Sequence, residues 1–155
     1  MDAFDGIARI VMKCVHSVRQ LMFANGLLCL LGNAALADEM AQIVTISPII
    51  KNLTDSHVKG NDKAMYKLYL RNATFADAMG VFGSQLIPWH VYLAFFVGII
   101  EAVYPMASFT ITDMIMHNYL AWIAVLSMLI FTLTGLDRFI PLFRLPSEPE
   151  VQLVK

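Results

Sequence analysis

The chain has 155 residues, enough for one domain, and its formal net charge of −1 gives no indication of a nucleic-acid partner. It is 58% hydrophobic and 15% charged, where soluble domains run at about 45–50% and about 25%. With a mean hydropathy of +0.64, this composition predicts an all-α integral membrane protein.

Residues 1–20 place Ile7, Ile10, Val11, Cys14, Val15 and Val18 at helical spacing, with Arg9, Lys13 and Arg19 between them. That is the pattern of an amphipathic interfacial helix. Residues 21–37, "LMFANGLLCLLGNAALA", have the look of a signal peptide with a cleavage site after Ala37. We read them instead as a short membrane helix at the lower length limit for spanning, weakened by Asn25 and Asn33. Residues 38–85 carry much of the charge. "SPIIKNLTDSHVKGNDK" reads as a loop, and a helix is predicted from Lys63. Its stripe is Ala64, Leu68, Phe75 and Met79, with Lys67, Arg71 and Asp77 elsewhere, so it is expected on the membrane surface or against a partner.

Residues 86–111 are the strongest predicted membrane segment, with Pro88 in the first turn and Trp89, His90 and Tyr92 as an interfacial belt. A tight hairpin without Lys or Arg leads into a second span over 117–136, opened by Tyr119 and Trp122 and closed by Asp137 and Arg138. The tail 137–155 is Pro-punctuated and expected to be extended. Lys and Arg number three before residue 21, five in 38–85, none in the hairpin and three after 136. Two spans put every basic residue on one side, as the positive-inside rule prefers. Three spans fit the apolar length better. The predicted architecture is therefore two to three transmembrane helices with a central helical hairpin plus amphipathic interfacial helices.

Glu101 is the residue most out of place. Ala94, Gly98 and Ala102 recur every four residues, a small-residue face that lets another helix approach closely. Glu101 projects about 20° to one side of Ala94, so it is expected to point into that packing face as a buried carboxylate. It is then paired, protonated or bonded to a neighbouring helix. An antiparallel hairpin would bring His90 near Asp137 and Arg138, and Glu101 opposite Trp122. Asp113 and His117 share a face, with Asp113 expected as a cap. Cys14 and Cys29 lie roughly 22 Å apart along a helix, too far for a disulfide, and are expected as free thiols. No zinc spacing, Gly-rich phosphate loop, GxSxG or HExxH occurs, and the sequons at Asn52 and Asn72 are discounted.

"LAFFVGIIEAVYPMASF", "MYKLYLR" and "LTGLDRF" together resemble the DoxX-like family of small membrane proteins over roughly residues 60–140. The family's fourth helix has no counterpart here. That resemblance implies a redox component or a membrane-protein assembly chaperone. From the residues themselves, the expected function is a non-catalytic accessory subunit of a larger membrane complex, such as a respiratory or other energy-converting assembly. A small proton- or solute-handling protein using Glu101 is the further alternative. The expected partners are other membrane subunits and lipids. No cofactor of its own is expected beyond structural lipids, and the mitochondrial inner membrane is the expected location.

Overall fold

The computed structural model describes residues 2–106, 108–141, 144 and 150–154, with side chains throughout except those of 2–5, 7 and 8. Among these residues the chain is 78% helical, in seven helices, so the all-α expectation holds at that level. Helix α1 (Asp2–Cys14) is followed by α2 (Val18–Leu36), α3 (Glu39–His57), α4 (Asp62–Ser84), α5 (Val91–Val103), α6 (Ile111–His117) and α7 (Tyr119–Thr134). Strand β1 (Val58–Gly60) pairs antiparallel with β2 (Val151–Leu153), Val58 opposite Leu153 and Gly60 opposite Val151.

Several boundaries differ from those the sequence suggests, each for a local reason. The first 20 residues are not one helix. Ser17 caps α2, its hydroxyl accepting the Gln20 N–H at 3.2 Å, so Val18 already belongs to the helix expected to start at 21. The loop expected over 47–63 is largely the second half of α3. Pro48 removes one backbone donor there, but Ile46, Ile49, Ile50 and Leu53 form a buried stripe that outweighs the loss. Asp38 starts this helix by accepting the Ala41 N–H at 2.7 Å. The helix expected over 86–111 is α5 alone. It stops at Tyr104 because Pro105 disfavours helical backbone in the residue before it.

The expected hairpin turn near 113 is α6, capped by Thr110, with the Asp113 carboxylate returning a bond to the Thr110 N–H. Asp113 is thus a cap, as expected. Asn118 then ends α6 and caps α7, accepting the Ala121 N–H at 3.2 Å and donating to Gln85 Oε1 at 2.6 Å. The α6 and α7 axes bend by 58° at this point. Within the tail, Leu136–Phe139 form a 3₁₀ turn and Val151–Leu153 are extended.

The core lies where α2, α3 and α4 pack on one another and α7 closes over α2 and α4. The stripe Ala64, Leu68, Phe75 and Met79 is buried as its spacing predicts. However, α4 is a central element of the bundle and not a surface helix, and its Arg71 is buried too. Glycines permit the close crossings. A Cβ at Gly32 would lie 2.4 Å from Ile46 Cγ1, and one at Gly83 would lie 2.7 Å from Leu30 Cδ1. Among the described residues no single helix is long and apolar enough to cross a membrane. Taken together, α6 and α7 reach that length and apolar composition, with a 58° bend between them.

Candidate functional site in the polar interior

The residues singled out on α5 do not form a buried site within this chain. Ala94, Gly98, Glu101 and Ala102 are all exposed, and a Cβ at Gly98 would meet nothing within 4 Å. Within this chain Glu101 is therefore an exposed carboxylate, with the packing partner expected for it not supplied by the described residues. The physical reason is that α5 packs chiefly on the short α6 and buries only Leu93 among its own residues, so among the described residues no helix lies across from its small-residue face. The rest of α5 presents Val91, Phe95, Phe96, Ile99 and Val103 outward.

The expected approach of His90 to Asp137 and Arg138 is also overturned. His90 is buried at the N-terminus of α5, its Nε2 lying 3.0 Å from Asn33 Oδ1. Asp137 is instead bonded at 2.6 Å by Arg19 Nη1 from the start of α2. Arg138 is exposed and donates to the Gly135 carbonyl at 3.0 Å. The bend between α6 and α7 replaces the antiparallel hairpin on which the His90 expectation rested. Trp89, Tyr119 and Trp122 are exposed. Trp89 donates its indole N–H to the Ala34 carbonyl at 2.7 Å, and Trp122 donates to Ile115 at 2.9 Å. Tyr119 is exposed beside the His117 ring.

What the bundle does bring together is a set of polar side chains that are dispersed in the sequence. Asn25 donates to Asn72 Oδ1 at 3.2 Å, and Asn72 donates to Thr54 Oγ1 at 2.9 Å. Arg71 reaches Thr132 Oγ1 at 3.1 Å, with its guanidinium 5.0 Å from the Phe75 ring centre. The Arg19–Asp137 pair closes this layer at one end. Two turns further along α2, Asn33 donates to the carbonyls of Met79 and Gly80 at 3.1 and 3.0 Å. Between the layers lies Gln42, 0% exposed, beside Cys29 and over Gly80. Its only polar neighbour among these, the Cys29 thiol, is a weak partner, and neither amide atom has an ordinary hydrogen bond. The Asn25 Oδ1 atom is likewise without a partner.

Sequence reasoning noted Asn25 and Asn33 only as blemishes in an apolar run. Their signal was the spacing of Val18, Leu21, Met22, Asn25, Cys29 and Asn33, a single buried stripe on α2. The arrangement carries hydrogen-bonding groups and charge. Among the described residues it has no group of three or more His, Cys, Asp or Glu that could hold a metal. Both cysteines are free, as expected: Cys14 is exposed and Cys29 buried. A groove of about 420 Å³ between α3 and α4 reaches Asn72 past Pro48 and Ile50, with Lys51 and Tyr69 at its edge. Both bond Asp55, at 2.7 and 2.6 Å. An unsatisfied buried amide costs about 1–3 kcal/mol. Gln42→Met keeps the volume and removes both orphan groups. It is expected to leave the melting temperature unchanged or to raise it, as read by thermal unfolding.

No protein-family model, curated protein or solved structure matches this chain.

Proposed function

We propose that this chain is a non-catalytic helical subunit of a larger membrane assembly, with the mitochondrial inner membrane as the first location to test. The observation that carries the reading is α5. It has a mean apolar character higher than any other helix of the chain, yet only Leu93 is buried against its own chain. Leaving such a face in water costs roughly 25 cal/mol for each Å² of apolar surface, so lipid or another helix is the environment that suits it. The small residues Ala94, Gly98 and Ala102 favour a helix over lipid on that side. The bent α6–α7 pair, apolar over its length, supports membrane residence. The polar interior then acts as interhelical glue.

The test is purification of the tagged full chain in mild detergent from cells that make it at native levels. The expected result is a complex several times the chain's 17.3 kDa. Gly98→Trp is expected to release the chain from that complex without altering its own unfolding, since the space beside Gly98 is empty. Recovery of a stable monomer would overturn the reading.

A second reading, handling of protons or a small polar solute, is favoured by one observation: the buried Gln42 amide, whose polar contact is the weak Cys29 thiol. It moves the site from Glu101 to the interior. Under this reading Gln42→Met abolishes the solute response while the fold persists.

A further inference from the structure

The hydrogen bonds around His90 determine its protonation state. Asn33 Nδ2 faces two carbonyl oxygens, Met79 and Gly80, which can only accept. The amide is therefore oriented with Oδ1 toward His90, and His90 Nε2 must carry a proton to donate to it at 3.0 Å. On the other side of the ring, the Tyr92 backbone N–H points at His90 Nδ1 from 3.2 Å and needs a lone pair there. The neutral Nε2–H tautomer satisfies both contacts. The charged ring, with a proton on each nitrogen, satisfies only the first and sets Nδ1–H against an N–H.

His90 is also the N-cap of α5. Other ties of that helix to the body are sparse. Leu93 is buried, Trp89 bonds Ala34, and the Tyr92 hydroxyl reaches Glu39 Oε1 at a long 3.4 Å. We infer that His90 is a protonation-sensitive latch: as the neutral ring it docks α5 against the ends of α2 and α4, and on protonation it releases α5 from that position. This holds whether or not the chain is an accessory subunit.

The charged and titratable groups around the ring are few. From the N-terminus of α3 come Glu39 and Asp38, whose negative charge favours the protonated ring. From α5 comes Tyr92, stacked with the ring at 5.7 Å. From α2 comes Asn33, which does not titrate and is itself held by the Met79 and Gly80 carbonyls of α4. Burial outweighs the carboxylates and pushes His90 below its ordinary value. A histidine held neutral when docked and free to protonate when released favours docking above about pH 6.5. That preference is lost progressively as pH falls below it.

The experiment is a distance measurement by double electron–electron resonance on the full chain in detergent. Spin labels are attached at Tyr66→Cys and Ile99→Cys, both exposed positions, in a Cys14→Ser background. One distance is expected at pH 8, with a second, broader population growing in at pH 5. In His90→Asn the second population is expected to be absent at both pH values, because asparagine caps a helix without titrating. Should that variant fail to fold, Glu39→Gln leaves the ring in place and is expected to move the midpoint to higher pH, because the docked ring loses a carboxylate that favours its charged form and α5 loses the Tyr92–Glu39 contact. An unchanged distance down to pH 4.5, the same acid population in His90→Asn, or an unmoved midpoint in Glu39→Gln would each overturn the latch.

Discussion

Replacing Asp137 with alanine is expected to lower the unfolding free energy by about 3–5 kcal/mol, the usual cost of removing one partner of a buried ion pair. The carboxylate is 0% exposed and receives Arg19 at 2.6 Å, while the Arg19 side chain is 24% exposed. Arg71, also buried, feels the same carboxylate. Without it, Arg19 loses its ion-pair partner and Arg71 loses a counter-charge that offsets the repulsion from Arg19. The bond also ties the 3₁₀ turn after α7 to the first turn of α2, across 118 residues of sequence, so the packing of α7 on α2 and α4 weakens with it. Gly135, at φ 79°, makes the turn that brings Asp137 inward. The measurement is urea unfolding followed by circular dichroism. The double replacement Arg19→Met with Asp137→Leu is expected to recover only part of the loss, because Arg19 leaves with its counter-charge while Arg71 still loses the carboxylate. A loss under about 1 kcal/mol for the single variant, the value of an exposed pair, would show that the pair is not buried as described.

The second large effect is expected at Phe75. The ring is 0% exposed and fills the space beside Gly26, where a Cβ would lie 3.0 Å from its Cε1. Val125 and Leu129 of α7 complete its surroundings. Phe75→Ala is expected to cost about 3–5 kcal/mol through lost transfer energy and the cavity left behind. Part of that loss is the seat of Arg71, whose guanidinium lies over the ring. Phe75→Leu, which leaves a smaller void, is expected to cost less. Since Arg71 touches Phe75 and is coupled to Asp137, the Phe75→Ala and Asp137→Ala effects are expected not to add. Denaturant midpoints of the two single variants and the double variant check this directly.

What the sequence legibly carried was local. The 3.6-residue period of Ala64, Leu68, Phe75 and Met79 located α4, and the apolar run 117–136 located α7, which starts at Tyr119 and ends two residues earlier, at Thr134 before Gly135. The spacing of the cysteines excluded a disulfide. Where two local signals competed, reading along the chain chose wrongly. Pro48 and the polar residues after it suggested a loop, and only the burial of Ile46, Ile49, Ile50 and Leu53 against α2 and α4 makes that stretch helical. Pro105 was the opposite case, a helix stop hidden in an apolar run.

The candidate site was not legible because its bonds join residues far apart in sequence. Asn25 meets Asn72 across 47 positions and Asn33 meets His90 across 57. No periodicity within one segment encodes a partner on another. Composition and spacing alone determined that the chain forms apolar helices, and where many of them run. Only the tertiary structure decided which polar side chains turn inward and which face stays uncovered. The reason is that a buried amide or carboxylate is stable only beside a matching group, and that match exists once helices from distant segments have packed. Glu101 illustrates it: its place on the Ala94–Gly98–Ala102 face follows from the sequence, but no helix among the described residues packs across from it.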